Sequence, residues 1–412
     1  MPNHTAAISA RQPPLLLLVG ISAIAPIVMN GVLPATTAVM RDLETSYGTA
    51  QLVLTIYLFA AMVSQVLLGQ LSDRVGRRPV MIGGLTVFAL GGIVCAFAPT
   101  IETLLAGRFI QGLGSSVCTF LPRTIMRDVH PKDKAASAIG YMTTAMMIAP
   151  LFGPAVFGWL TDISSWRVMY VVLSVIGFLF AGMSYLFQHE TLAQKESPGN
   201  QSNHTQATKQ SSLLLLREPE YRAYLIIMCG AVGIYYCFLA GAPYVVMELR
   251  HYSATDYGTW FSMSAIGYLT GNLVAGKFSE KSGTNRMISL SVVPLLIGVV
   301  LFWALSRMTH PIGMFLPMQF IALSNGMCLP NLMSAAMSVR SDMSGRASGL
   351  LGTIQIGTAT LITLVLSALI KTTALPLLWA ITLCCAVALI GYLSVYKKSA
   401  RDAKRDAKTA AD

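Results

Sequence analysis

Arg108 and Gln111 interrupt an apolar run of the sequence, with Ser115 following one turn later. On a helix these three positions share a face and form a polar stripe. A guanidinium in such a stripe binds carboxylates or phosphates, or lowers the pKa of a neighbouring proton site. An arginine at the centre of a bilayer costs about 3 kcal/mol on insertion scales, so this one must face a bundle interior or a water-filled cavity. Its complement is missing at that depth. Of the 18 Asp and Glu, none falls well inside an apolar run, and Glu248, at the end of the seventh, comes nearest. Glu248 is therefore the candidate for shallow proton uptake, and otherwise the anion that completes the pair arrives with a substrate. A second charged cluster, Arg123 with Arg127 and Asp128, reads as a snorkelling or ion-paired helix end. A third, GQLSDRVGRRP from Gly69 to Pro79, packs Asp73, Arg74, Arg77 and Arg78 around Gly76.

Enzyme chemistry has no foothold. The sequence contains no Walker-type phosphate loop, no H-E-x-x-H and no G-x-S-x-G. Its six histidines fall in loops or termini, and its seven cysteines lie inside apolar runs without metal-ligand spacing. No catalytic residue, cofactor or metal is expected, and the cysteines read as small buried hydrophobes.

The elements that must position these charges are long apolar helices. Of the 412 residues 54% are hydrophobic and 11% charged, about half the charge of a soluble domain, and the mean hydropathy is +0.61. A bilayer-crossing helix needs about 20 apolar residues. Twelve runs qualify: Leu15–Met40, Gly48–Leu71, Pro79–Ala98, Thr103–Met126, Ala135–Leu160, Trp166–Phe187, Ala223–Met247, Thr255–Phe278, Met287–Leu305, Pro311–Met337, Gly345–Ile370 and Thr373–Tyr396. They are too long and too uniformly apolar for barrel strands. The fold class is an all-α membrane protein of twelve transmembrane helices in two six-helix halves.

A polar stretch rich in Ser, Gln, Asn and Thr separates the halves. The expected organisation is an N-terminal bundle over residues 1–187, a linker over 188–222, a C-terminal bundle over 223–396 and a basic tail over 397–412, with Leu213–Leu216 as a short surface helix. Gly69-Gln-Leu-Ser-Asp-Arg-Val-Gly76 recurs in worn form as Gly276-Lys-Phe-Ser-Glu-Lys-Ser-Gly283, at an offset of 207. Asp73 with Glu280 and Arg74 with Lys281 keep their charge. Two repeated halves about a midplane site are a transporter architecture.

The net charge of +11 follows topology rather than nucleic-acid binding. Loops on one side hold 22 of the 29 Lys and Arg, against 5 on the other, with Arg108 and Arg123 in the spans. By the positive-inside rule the richer side, with both termini, is cytoplasmic. The tail would touch anionic headgroups.

The motifs resemble those of the major facilitator superfamily. GQLSDRVGRRP is similar to its loop signature G-x-L-x-D-R-x-G-R-[KR]-x. Arg108-Phe-Ile-Gln111-Gly112 resembles R-x-x-Q-G, and Gly153-Pro154 through Gly158 resembles the antiporter signature of the fifth span. Met126-Arg127-Asp128 and Trp166-Arg167 resemble the bicyclomycin/chloramphenicol-resistance branch of drug:proton antiporters. The resemblance implies a small-molecule carrier of the bacterial inner membrane, acting as a monomer, using protons and no nucleic acid. One departure stands out: Asn30 occupies the position where many of the branch carry a first-span acid, so coupling through a carboxylate there is excluded.

In such a carrier Asp73, with Arg74, Gly76, Arg77 and Arg78, would gate one face, and Gly153, Pro154 and Gly158 would shape a kinked, leak-limiting helix. Candidate substrate contacts are Tyr57, Tyr141, Tyr235, Tyr236, Tyr268, Asn272, Gln319, Asn325 and Gln355, with Gln65 and Asn331 as further polar positions in the spans. The expected function is efflux of amphipathic compounds by alternating access. The alternatives are a dedicated carrier of one metabolite, such as a siderophore or nucleoside, or a non-transporting sensor or scaffold.

Overall fold

The computed structural model describes residues 14–129, 132–191, 212–340, 343–370 and 373–409. Among them run twelve long helices: α1 Leu15–Asp42, α2 Tyr47–Val75, α3 Arg77–Ala96, α4 Ile101–Val129, α5 Lys132–Ile163, α6 Trp166–Phe187, α7 Pro219–Leu249, α8 Ala254–Ser282, α9 Thr284–Ala304, α10 Ile312–Ser338, α11 Ser344–Leu369 and α12 Leu375–Thr409. Ten contain a stretch long and apolar enough to cross a membrane. The other two are α5 and α8: α8 falls short because it carries Ser262, Ser264, Thr270 and Asn272 along its length, and several side chains of α5 lie outside the described residues. Large apolar side chains such as Phe152, Phe187, Leu273, Trp379 and Leu383 point outward, as in a bundle whose surroundings are as apolar as its core.

Proline and local hydrogen bonding decide where the helices deviate. α1 contains Pro26 and passes through a 3₁₀ turn at Leu33–Ala35, and α7 leaves α-helical geometry at Pro243 for a π-turn over Tyr244–Leu249. Each proline removes an amide donor and crowds the preceding turn. Leu213–Leu216 lies within the 3₁₀ turn Ser212–Arg217, close to the expected surface helix. The twelfth helix runs past Tyr396 to Thr409, so the basic tail, expected to begin at residue 397, continues that helix instead. Most of the expected linker lies outside the described residues.

The repeat is visible in the backbone. α2 and α8 each have 29 residues, and each is capped by a serine, Ser46 and Ser253, whose hydroxyl accepts from the backbone N–H three residues on. Each ends at a glycine of positive φ, Gly76 at 114° and Gly283 at 80°. Other residues are strained in that region, which explains why the worn copy still keeps this glycine. Ser46/Ser253 and Gly76/Gly283 share the 207-residue offset of the sequence motif.

Within the first half α3 packs on α4 and α6, α2 on α4, and α1 on α5; in the second, α8 packs on α10 and α7 on α12. The halves meet chiefly through two pairs, α2 against α11 and α5 against α8.

Candidate functional site

The described residues begin at 14 and end at 409 on one face of the bundle, the terminal face; the opposite one is the far face. From mid-bundle to the far face the halves are bonded together. Arg41 pairs with Glu248 at 2.9 Å, and the Tyr47 hydroxyl donates to the Ala240 carbonyl at 2.7 Å. Thr55 Oγ1 donates to Thr363 Oγ1 at 3.0 Å, and Tyr235 donates to Asn30 Oδ1 at 2.8 Å. The Tyr236 hydroxyl reaches Met29 Sδ at 3.4 Å.

The tightest contact is made by the Gly153–Gly158 segment of α5. A Cβ on Gly158 would strike the Ala254 carbonyl, and one on Gly258 would strike that of Pro154. Pro154 and Gly158 are four apart, as are Ala254 and Gly258, so two small-residue ridges interlock in the small-xxx-small manner. Asp162 then crosses to the start of α8. Its carboxylate accepts from the backbone N–H groups of Ala254 at 3.3 Å and Thr255 at 2.7 Å, and from the Thr255 hydroxyl at 2.5 Å. One half thus caps a helix of the other, and the favourable dipole adds to the bond. Losing such a cap costs about 0.5–2 kcal/mol. Asp162→Ala is expected to raise far-face thiol labelling of an engineered cysteine at Ala155 several-fold, while Asp162→Asn, which keeps an acceptor, raises it less.

Toward the terminal face no bond between the halves occurs among the described residues. There Asp73, Glu280 and Lys281 are exposed, and Asp73 pairs with Arg77 of its own half at 2.7 Å. Arg77 is 3% exposed and also donates to Asp128 Oδ2 at 3.1 Å and Ser72 Oγ at 2.7 Å. Glu190, beyond α6, accepts from the backbone N–H groups of Arg77 at 2.9 Å and Arg78 at 3.1 Å. The N-cap residue, Gly76, has no side chain, so Glu190 supplies the cap from 113 residues away. Arg78 donates to the Tyr185 carbonyl at 2.6 Å. The loop motif is therefore a rigid block on its own half, with Asp73 at its edge. Sequence reasoning missed Glu190 and Asp162; both are single acids at helix ends with no motif around them.

Arg108 is fully buried and makes no contact with a carboxylate. Its Nε donates to the Val53 carbonyl at 3.0 Å and Nη1 to Gln111 Oε1 at 2.7 Å. The Tyr57 ring lies 4.3 Å from the guanidinium carbon and covers it. Of the two expected settings, bundle interior or water-filled cavity, it occupies the interior. Glu248, considered for proton uptake, is bonded to Arg41 as part of the far-face closure. Arg123, expected to snorkel or to pair near Asp128, makes no ion pair with Asp128, which is held by Arg77; its Nη2 rests on Met146 Sδ at 3.2 Å.

The candidate contact residues divide. Tyr235 and Tyr236 stand at the meeting of the halves, Tyr57 covers Arg108, and Tyr268 and Gln355 are half-buried. Gln319 accepts from Gly267 N–H at 2.9 Å and donates to the Met263 carbonyl at 2.7 Å, tying α10 to α8 within one half. Asn272 donates to the Tyr268 carbonyl of its own helix at 2.9 Å, and Asn325 donates to Ala231 O at 3.1 Å, tying α10 to α7. The Tyr141 side chain lies outside the described residues.

The pattern of the Major Facilitator Superfamily matches residues 18–361. The chain belongs to that superfamily. Among its curated relatives, an uncharacterized MFS-type transporter, YdgK, of Bacillus subtilis is 28% identical over 370 residues, 88% of this chain and 90% of the relative. The bicyclomycin resistance protein homolog of Haemophilus influenzae is 23% identical, covering 92% and 94%, and multidrug resistance protein D of Escherichia coli is 26% identical, covering 85% and 87%. The latter two belong to the drug-antiporter branch that the motifs resemble. A bacterial homologue of the lysosomal transporter Spinster matches the fold at a TM-score of 0.75 with 14% identity, over 93% of this chain and 96% of that one. A D-xylose–proton symporter matches at 0.71 with 16% identity, over the same shares. This major facilitator chain is a multi-pass secondary transporter, and its family is one of carriers rather than enzymes.

Proposed function

We propose that this protein exports small amphipathic, drug-like molecules across the bacterial inner membrane as a monomer, in exchange for protons, by alternating access. The observation that carries the reading is the one-sided closure: among the described residues the bonds between the halves run from mid-bundle to the far face. A substrate site between such halves is open to one side at a time. The excess of Lys and Arg on the terminal face supports placing that face and both termini in the cytoplasm, so the conformation is the inward-facing one. The two six-helix bundles, 1–187 and 223–396, act as the moving bodies, with the segment 188–222 between them.

In the opposite conformation Asp73 and the Glu280–Lys281 segment come together on the cytoplasmic face, while the Arg41–Glu248 pair and the Asp162 cap separate. Asn30 has an amide in place of a titratable acid, so the protonated group is a carboxylate elsewhere, and Glu248, Asp162, Asp73 and Glu280 are the ones that change partners in this cycle. Tyr57, Tyr235, Tyr236, Tyr268 and Gln355 border the substrate path.

The test is uptake of ethidium and of chloramphenicol into proteoliposomes of the purified protein, with the pH gradient imposed in either direction. Accumulation against the substrate gradient, reversed when the pH gradient is reversed, is the expected result. Counterflow that ignores the pH gradient would replace proton antiport by exchange or uniport.

A further inference from the structure

Of the two arginines on one side of α4, Arg108 is buried and Arg123 is half-exposed. Residues 108, 112, 119 and 123 lie on one side of α4 at helical spacing. At the far-face end this side is shut: Arg108 is buried, and Gly112 is packed against the backbone of Tyr57. Toward the terminal face Thr119 and Arg123 become half-exposed. The stripe is flanked by Tyr57 of α2 and Met146 of α5, and these are the helices through which the first half meets the second. Arg123 thus lies beside α5, one of the helices that meet the other half, at the end where no bond between the halves occurs among the described residues.

Its bonding is incomplete. The only hydrogen bond of Arg123 among the described residues goes from Nη2 to Met146 Sδ, and its Nε is buried without an acceptor. A thioether is a weak acceptor, and a guanidinium offers five donors in a fork that matches an oxyanion. The nearest acid along the helix, Asp128, is taken by Arg77. A buried charge with unsatisfied donors is costly to retain unless something neutralises it. Among the described residues none supplies such an anion to Arg123.

We infer that Arg123 binds the carboxylate, or another oxyanion, of an amphipathic substrate entering from the terminal face, with Met146 offering an adaptable apolar contact beside it. This rests on the export reading and narrows it: the carrier prefers acids to their neutral analogues. The anion could also come from a lipid phosphate, and the test separates the two.

The probes are dansylglycine and dansylglycinamide, which share a fluorophore and differ in the carboxylate. Their affinities are measured by fluorescence for the full chain in phosphatidylcholine nanodiscs. The wild type is expected to bind the acid at least tenfold more tightly than the amide. Arg123→Gln should lose that preference while holding the amide within twofold, which also shows that the variant is folded, and Arg123→Lys should keep part of it. No preference in the wild type, or equal weakening of both probes by Arg123→Gln, would overturn the inference. The preference should persist when one third of the lipid is phosphatidylglycerol; its disappearance would assign the site to lipid phosphate and overturn the substrate role. Binding needs no gradient, so a wild type that prefers the acid yet pumps nothing contradicts the export reading alone.

Discussion

Arg77→Ala is expected to cut transport to below a tenth and to lower the amount of folded protein recovered from the membrane. The guanidinium is buried and holds Asp73, Asp128 and Ser72 at once. Without it the Asp128 side chain, 5% exposed, keeps a charge with its main partner gone. Breaking a buried pair in this way costs about 3–5 kcal/mol, a large share of the stability of most proteins. Arg77→Lys should recover only part of the loss, because one ammonium cannot reproduce a planar fork that reaches three acceptors. The check is a thermal melt followed by size-exclusion chromatography, alongside transport normalised to protein level. Wild-type melting of Arg77→Ala would show that the block at the end of α2 is not held by this residue.

Gly158→Leu is expected to abolish transport, by more than twentyfold, in a protein that still reaches the membrane. Its Cβ would meet the Ala254 carbonyl, a backbone atom that cannot move aside without displacing α8. The added side chain therefore wedges the two halves apart at the far face. The state closed at the far face needs that contact, and a carrier denied one of its two states cannot complete a cycle. Gly83→Leu is the matched control, since a Cβ there meets nothing within 4 Å, and it should stay within twofold of wild type. Equal losses in both variants would point to a general intolerance of leucine at helix glycines.

The comparison of these two residues shows what the sequence could and could not convey. The twelve apolar runs, the repeat and the motif glycines were legible because they answer to local rules: bilayer thickness, positive φ and close helix approach. Gly76 and Gly283 are recognisable as a pair from their spacing alone. Partners across the fold were not legible. Nothing near Arg77 in the chain announces that Asp128 and Glu190 will receive it, or that Asp162 will cap a helix of the other half. Arg108 and Arg123 show the same limit: both are arginines on one side of one helix, and only the packing of Tyr57 makes the first an interior residue and leaves the second open. The bonds of Gln319 to Met263 and Gly267 were not legible either, because they depend on how α10 sits on α8. The apolar runs also blurred the end of the last helix, where charged residues continue a helix that hydropathy alone would stop.

The central claim is that the far-face closure and the terminal-face opening exchange in one motion. Spin labels at Glu102 and Arg307 report the far face, and labels at Arg74 and Lys281 the terminal face; all four positions are exposed. Pulsed electron–electron distance measurements on the two pairs, in nanodiscs with and without substrate at two pH values, test it directly. The expected result is a second population in which the terminal-face distance shortens while the far-face distance lengthens, with both populations changing in the same proportion. The Gly158→Leu variant should lose the population with the short far-face distance. Distances that stay fixed at both faces while the labelled protein continues to transport would contradict alternating access by these two halves.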